Sequence, residues 1–441
     1  MKKPRSTEEA VQIIETFDIL QVDKKIEIFR GLSAQAREEL LGVILRPGEI
    51  VRKISEEEMF FTVKQLGEEN AIGHIALCTG KQLQYILDLD LWTKDVFDPR
   101  SAIRWLYLLA RAGENKVVQF VQVSDPELVL TILRGFVKVQ VVDPDTDLTE
   151  QLDYLPDFTL DDTFFIDFPY PGTDEFLKVV VGAIFQWNIE YYAGLMHELN
   201  FGASVETEEL ALKWRRARLW DHGFPSLDEA MEIYHYYNGR LHTDATGEES
   251  HVDSPSLRLS SKLMDYPLKV ISAGNLLRRF LTGMEDDAER DRVVTQLAHL
   301  ANKVMVADGG DPGVLENLQG SLEKVSGYIN MALEDACADD SSVGSALLKY
   351  NHVETLFRRG FSLVLKVQRE ARKLADNYQG GIENMGYPLA GLIRGLLQKK
   401  PIFAANALGE RNAREFSSLE DLDLIRRLMA SDSLEGRWEP L

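Results

Sequence analysis

Residues Glu58–Leu91 read EMFFTVKQLGEENAIGHIALCTGKQLQYILDLDL, and the chain repeats this pattern 45 residues later. Ile103–Phe136 read IRWLYLLARAGENKVVQFVQVSDPELVLTILRGF and align with the first stretch without a gap. The Glu-Asn pair at 69–70 meets an identical pair at 114–115. The two stretches are therefore predicted to be copies of one structural unit. Apolar residues meet at Phe60–Trp105, Phe61–Leu106, Val63–Leu108, Ile72–Val117, Ile75–Phe120, Leu83–Leu128, Leu87–Ile132 and Leu91–Phe136.

A weaker copy precedes these two at a shift of 46 residues. Its apolar pairs are Ile14–Phe60, Phe17–Val63, Leu20–Leu66, Ile26–Ile72 and Phe29–Ile75. Apolar residues spaced three, four and seven apart predict helices, and a period of about 40–47 residues is typical of HEAT and armadillo repeats. A single helical repeat cannot bury its apolar face alone, so neighbouring copies must stack. The sequence predicts a mainly α protein whose residues 1–136 form a HEAT/armadillo-like superhelical repeat domain.

Capping patterns mark several predicted helix starts. Ser55 and Glu58 form a Ser-x-x-Glu box, in which the hydroxyl and the carboxylate bind unpaired amides of the first turn. Asp98 and Asp125 each precede a proline, which tolerates the first helical position because it has no amide hydrogen to leave unpaired. These signals predict structure and carry no chemistry.

The pattern changes after residue 136. Phe136–Asp143 and Thr163–Phe168 alternate and are rich in β-branched and aromatic residues, which predicts a small β-hairpin insert. Residues 137–240 are interpreted as this hairpin plus helices packed on the repeats. Residues 241–261 are poor in apolar side chains, as is typical of a linker or an exposed loop. Residues 262–441 show helical periodicity and are predicted to form a second, all-helical domain.

Charge and composition argue against several functional classes. The net charge is −22 at pH 7, which disfavours a surface that follows phosphates, so we expect no nucleic acid partner. Two cysteines do not form a disulfide framework and fit a reducing compartment. No apolar run approaches the ~20 residues that span a bilayer, and no apolar stretch follows the basic N-terminus. We predict a cytoplasmic protein without membrane insertion.

Three segments resemble an uncharacterised bacterial family catalogued as a domain of unknown function. They are Leu87–Trp92 (LDLDLW), Trp214–Leu219 (WRRARL) and Gly223–Pro225 (GFP) before an acidic helix. The resemblance covers most of the chain and implies no activity. Separately, the Leu and Ile spacing over roughly the first 140 residues is similar to the superhelical N-terminal domain of magnesium transporters. The other domains of those transporters have no counterpart here, so magnesium sensing is not implied.

Trp214, Arg215, Arg216 and Arg218 form a compact basic–aromatic cluster. Forked guanidinium donors suit a phosphate or an acidic partner. In a chain with a net charge of −22, the same arginines can equally pair with neighbouring acidic helices. Both interpretations stay open from the sequence.

A second set of residues suggests a metal site. Glu232 and His235 form a Glu-x-x-His pattern on a predicted helix, an element of di-metal sites in helical bundles. Such sites need two of these patterns and further glutamates, and the sequence has no second pattern. Glu190 and His197 lie seven apart on one predicted helical face and could contribute. Exposed polar histidines around a loop explain the same pattern equally well.

His74 and Cys78 are four residues apart and share a predicted helical face, as a thiolate–imidazole pair would require. The repeat places Cys78 opposite Val123 and His74 opposite Gln119. Cysteine behaves as a small hydrophobic residue when buried, so the sequence favours packing over catalysis here.

Two functional hypotheses follow. The leading one is a non-enzymatic cytoplasmic scaffold or adaptor that binds a protein partner through a helical-repeat groove and uses no cofactor. The alternative is a metal-dependent hydrolase or oxidase that uses Glu190, His197, Glu232 and His235. The sequence predicts neither the identity of the partner nor the oligomeric state.

Overall fold

A computed structural model describes residues 14–93, 95–142, 155–202, 204–244, 266–337 and 340–434. Within these residues the protein is mainly helical and has two small sheets, which confirms the predicted fold class. The superhelical HEAT/armadillo arrangement stays a prediction at that finer level. The greater part of the predicted linker, residues 245–261, lies outside the described residues.

The described chain divides into two compact units, the first ending at Asp221 and the second beginning at His222. Each unit has its own hydrophobic core. The finer division at residues 136, 240 and 261 stays a prediction.

The first unit begins with helices whose order follows the sequence repeat. Helices α5–α7 of the second copy correspond to α8–α10 of the third, and α6 packs against α8 while α7 packs against α9. Phe60 and Trp105, which occupy the same repeat position, are both fully buried. The helices are α1 (residues 14–18), α2 (Val22–Arg30), α3 (Ala34–Leu41), α4 (Pro47–Val51), α5 (Glu56–Leu66), α6 (Ile72–Leu77), α7 (Gly80–Asp90), α8 (Pro99–Ala112), α9 (Glu114–Val123) and α10 (Pro126–Arg134).

The predicted capping residues behave in two ways. Ser55 Oγ accepts from the Glu58 amide at the start of α5, and the Asp98 carboxylate accepts from the Arg100 amide at the start of α8. Asp125 precedes α10 but makes no side-chain capping bond, and its carboxylate accepts from Arg218 instead. A tertiary ion pair therefore replaces the expected local hydrogen bond.

Two antiparallel sheets lie in the first unit. Strands β1 (Trp92–Thr93) and β2 (Val96–Phe97) form a hairpin between α7 and α8 that is too short to produce a sequence pattern. The predicted insert contains β3 (Lys138–Val141) paired with β5 (Phe164–Asp167), and a further strand β4 (Phe158–Thr159) extends it to the order β3–β5–β4.

Three longer helices complete the first unit. They are α11 (Asp174–Trp187), α12 (Ile189–Phe201) and α13 (Ser204–Asp221). Helix α11 packs on α8 and α9, α12 on α10 and β3, and α13 on α10 and α7. Helix α13 therefore lies across the third helices of the second and third copies.

The second unit is built on the mutual packing of α17, α18 and α20. Gly360 of α20 allows the closest approach, because a Cβ atom there would lie 1.8 Å from the Tyr328 carbonyl oxygen of α18. The helices are α14 (Leu227–Met231), α15 (Tyr266–Val270), α16 (Leu276–Thr282), α17 (Asp287–Asp308), α18 (Leu315–Cys337), α19 (Ser341–Tyr350), α20 (Val353–Asn377), α21 (Leu389–Leu396) and α22 (Leu419–Leu434).

Candidate functional site

Helix α13 carries the predicted basic–aromatic cluster and is attached to the first unit by a narrow stripe. Ala211, Arg215 and Leu219 are the buried residues of this stripe, spaced four apart on one helical face. Only 3% of Arg215 is exposed, whereas Trp214 is 44% exposed and Trp220 is 47% exposed. The helix thus places an arginine inward and two tryptophans outward, the reverse of the usual arrangement.

Arg218 makes the most extensive ion pairs of this helix. Its Nε and Nη2 atoms donate to the two carboxylate oxygens of Asp88 at 2.7 and 2.8 Å, and Nη1 donates to Asp125. Burial acts to lower the pKa of Arg218, but the hydrogen bonds and attraction from Asp88 and Asp125 outweigh it, so the pKa is raised. The guanidinium therefore stays charged and connects α13 to α7 and α10.

Arg215 and Arg216 share a second carboxylate. Arg215 Nε donates to the Asp88 carbonyl oxygen at 2.6 Å, and its guanidinium lies 5.5 Å from the centre of the Trp92 ring. Asp95 accepts from Arg215 at 3.3 Å and from Arg216 at 2.6 Å. The structure therefore brings the predicted cluster onto one helix, with its arginines paired inside the unit and Trp214 outside. Ligand binding by these four residues stays a prediction.

The predicted metal-site residues occupy both units. Glu190 and His197 are exposed on α12 in the first unit. The expectation that Glu232 and His235 share an α-helix is wrong, because α14 ends at Met231, a 3-10 helix covers Glu232–Tyr234, and His235 is extended. Within the described residues, no three His, Cys, Asp or Glu side chains come together as metal ligands. The metal-enzyme hypothesis stays a prediction.

Tyr234, the last residue of the 3-10 helix before His235, makes several tertiary contacts. Its hydroxyl donates to Asp308 Oδ1 at 2.7 Å, and its ring lies 4.9 Å from the Phe361 ring and 6.1 Å from the Phe357 ring. These tertiary contacts hold the backbone in a tighter turn than an α-helix. The spacing in the sequence contained no sign of them.

Tyr234 also belongs to a charged network that sequence reasoning missed. Asp308 accepts from Lys324 at 2.9 Å and from Lys400 at 2.8 Å, and Lys324 lies 3.4 Å from Glu415. Both ammonium groups lie over the Tyr234 ring, at 5.2 and 5.6 Å from its centre. Burial raises the pKa of Asp308, but the two lysines and the Tyr234 hydroxyl outweigh it, so the net shift is downward.

Among the residues that the structure describes, two buried polar atoms beside this network have no hydrogen-bond partner, the Tyr328 hydroxyl and Glu415 Oε2. Burial raises the pKa of both groups. Lys324 and Tyr328 are four apart on α18, which is the one local signal for the cluster. The other members come from four distant segments, so no sequence pattern connects them.

The first unit has a buried histidine that joins two repeat copies. His74 of α6 is fully buried, and its Nδ1 lies 2.5 Å from Oε2 of Glu38 on α3, but within the described residues neither ring nitrogen has a partner in hydrogen-bond geometry. Burial, with a smaller contribution from Arg37, lowers the pKa of His74 to about 4, and burial raises the pKa of Glu38. Cys78 is also buried, and burial raises the pKa of its thiol, which donates to the Ile75 carbonyl.

Stability of the first unit should fall as the pH drops from about 6.5 to about 4 because of His74. The unfolded histidine gains a proton near its ordinary pKa while the folded one does not, which destabilises the folded state by about 3 kcal/mol over that range. Glu38 acts in the opposite direction, since its raised pKa favours the folded state as the pH falls. His74→Gln, which introduces the residue of the equivalent position 119, should flatten the histidine contribution.

Urea unfolding at pH 7, 6, 5 and 4 measures this difference between the wild type and His74→Gln. His197→Gln, a change at an exposed histidine of the same unit, should keep the wild-type pH dependence. Parallel stability curves for the wild type and His74→Gln would contradict the prediction.

An exposed apolar patch lies at the first repeat copy. Ile19 is 84% exposed and Leu45 is 82% exposed, and Val43 is also exposed. The Leu45 amide donates to the Asp18 carboxylate at 3.4 Å, which holds residues 18–19 beside residues 43–45. Apolar side chains so exposed and so grouped are typical of an interaction surface.

A cleft of about 760 Å³ lies in the second unit. Arg414 lies over the Phe403 ring at 4.4 Å and binds Asp421 through both of its terminal nitrogens. The charged side chains that line the cleft are largely paired with each other, so the cleft favours no class of ligand. It is lined by Phe403, Leu408, Glu410, Arg414, Glu420, Asp421, Asp423, Leu424, Arg426 and Arg427.

Comparison with known proteins identifies one family. A family model described as "Family of unknown function (DUF6178)" matches residues 15–434. No curated protein and no solved structure matches the chain. The similarity of the N-terminal repeats to magnesium transporters stays a prediction. Among the described helices, none combines the length and apolar character needed to cross a membrane.

Proposed function

This chain belongs to DUF6178, a family of unknown function, and we propose that it is a cytoplasmic, non-enzymatic adaptor that binds a protein partner through its first unit. The observation that carries the proposal is the exposed apolar patch of Ile19, Val43 and Leu45. We call these three residues the first-copy patch.

The position of the first-copy patch supports its use as a docking surface. Helix α13 packs on α7 and α10, the third helices of the second and third copies. Val43 and Leu45 follow α3, the third helix of the first copy, and their side chains face the solvent. The first copy therefore offers an exposed apolar surface to a partner.

The chemistry of the partner follows from the patch and from the charge of the chain. Apolar anchors that fill the space around Ile19 and Leu45 would supply the affinity. The net charge of −22 attracts a basic partner at long range and speeds its association. The expected partner is a protein segment with apolar anchors between basic residues.

The double variant Ile19→Glu/Leu45→Glu tests the proposal. A photo-crosslinking residue at position 46, the solvent-exposed position that follows Leu45, should capture the partner in the native host, and the double variant should reduce the yield about tenfold. Val96→Glu is the matched control, because Val96 is a 69% exposed apolar residue elsewhere in the same unit.

Stability should be unchanged in all three proteins, since exposed substitutions alter it by about 0.5 kcal/mol or less. The adaptor proposal would be contradicted if the wild type and the double variant gave equal crosslinking yields. It would also be contradicted if Val96→Glu lowered the yield as much as the double variant does.

A further inference from the structure

The outer surface of α13 has apolar and charged side chains in a definite order. Leu210, Trp214 and Trp220 are between 41% and 47% exposed, so each presents much of its side chain to the solvent. The acidic side chains Glu206, Glu208 and Glu209 lie in the N-terminal half of the helix, and the basic side chains Lys213 and Arg216 lie in the C-terminal half. Apart from Asp221, an exposed acidic residue at the last position, the exposed surface is therefore acidic at one end and basic at the other.

The acidic end carries charges without internal partners. Within the described residues, Glu206, Glu208 and Glu209 make no ion pair, whereas Arg216 is bound to Asp95. Lys213 lies 5.7 Å from the centre of the Trp214 ring and makes no ion pair among the described residues. Glu209 and Lys213 are thus the exposed opposite charges on this face that are available to another molecule.

A helix with acidic and basic halves is complementary to itself when two copies run antiparallel. We propose that α13 pairs with α13 of a second copy of this chain about a two-fold axis near residue 211. Glu209 then lies opposite Lys213 of the partner subunit, and Glu206 lies opposite Arg216 of the partner subunit. Each contact occurs twice, as a two-fold interface requires.

Two features favour a second copy over another partner. A purely basic segment would meet Lys213 and Arg216 as like charges, whereas an antiparallel α13 presents a carboxylate to each of them. The antiparallel arrangement also places each helix N-terminus near a helix C-terminus, where the partial charges of the two ends attract. The exposed tryptophans supply apolar area, and tryptophan is enriched among residues that dominate binding energy.

The contact is small, so the expected dimer is weak. A helix of 18 residues is about 27 Å long. A single pair of such helices lies near the lower end of specific interfaces, at about 1,200 Å². We therefore expect a dissociation constant on the order of micromolar, and raised ionic strength should weaken the dimer because its charges are exposed.

Charge reversal tests the arrangement directly. Lys213→Glu and Glu209→Lys should each weaken dimerisation by roughly tenfold, measured by sedimentation velocity of the full chain, because each creates like-charge contacts. An equimolar mixture of the two variants should dimerise within about threefold of the wild type. Mixing restores contacts between subunits but leaves the charges within each helix altered, so it separates pairing from helix stability.

Each result decides for or against the dimer. A wild-type chain that stays monomeric at about 100 μM, roughly a hundredfold above a micromolar constant, would overturn the proposal. A dimer that persists in both single variants would overturn it too, as would a mixture that stays monomeric. The Ile19→Glu/Leu45→Glu protein should dimerise as the wild type does, so the failure of the adaptor proposal would not affect this result.

Discussion

Replacing Glu58 with glutamine should destabilise the first unit by about 3–5 kcal/mol, because the change leaves two buried guanidinium groups without their shared carboxylate. Arg30 Nε lies 3.1 Å from one carboxylate oxygen of Glu58, and Arg37 Nη2 lies 2.9 Å from the other. All three side chains are at most 5% exposed. Arg37 also donates to Thr62 and to the Phe29 carbonyl, so it cannot move to water without breaking further bonds.

Tryptophan fluorescence during urea unfolding measures the change in the first unit. Five of the six tryptophans precede residue 222, so the signal reports chiefly on this unit. Glu49→Gln is the matched control, because Glu49 pairs with Arg46 at the surface, where such a pair contributes about 0–1 kcal/mol. Equal midpoints for the Glu58 and Glu49 variants would contradict the prediction.

Replacing Gly360 with alanine should destabilise the second unit by about 3 kcal/mol or more, since overpacking at a rigid contact forces the helices apart. The added Cβ atom would lie 1.8 Å from the Tyr328 carbonyl oxygen, a backbone atom that cannot rotate away. The same helices hold the rings of Tyr328, Phe357 and Phe361, so their separation would also open the aromatic core.

Gly320 on α18 provides a control of opposite sign. A Cβ atom there meets nothing within 4 Å, and alanine is favoured over glycine in a helix by about 1 kcal/mol. Gly320→Ala should therefore leave stability unchanged or raise it. Hydrogen exchange of peptides from α18 and α20 resolves both changes within the second unit. Exchange in Gly360→Ala that is no faster than in the wild type would contradict the predicted overpacking. Faster exchange in Gly320→Ala would contradict the prediction for the control.

The helices of the predicted repeat could be located from the sequence because their signals are local. Ser33 and Thr79 occupy the same repeat position, and each caps the third helix of its copy by accepting from an amide three residues on. The helix bounds of the second and third copies agree with the 45-residue shift for the same reason. At Asp125 the sequence predicted a helix cap, but the carboxylate accepts from the distant Arg218 instead.

The candidate surfaces were predictable only in part. The sequence grouped Trp214 with the three arginines because they are adjacent, but it could not tell which side of α13 would be buried. Asp88, the partner of Arg218, lies 130 residues away. The network around Asp308 joins five separate segments of the second unit, and the first-copy patch joins residues 18–19 to residues 43–45.

Periodicity along the chain was enough to determine the mainly helical class and the strands β3 and β5, because these depend on backbone hydrogen bonds and on apolar spacing. The tertiary structure alone decided the boundary after Asp221, the inward arginines of α13 and the end of the helix before His235. An ion pair or a ring contact depends on where distant segments meet, and the one-dimensional spacing of residues does not specify that meeting.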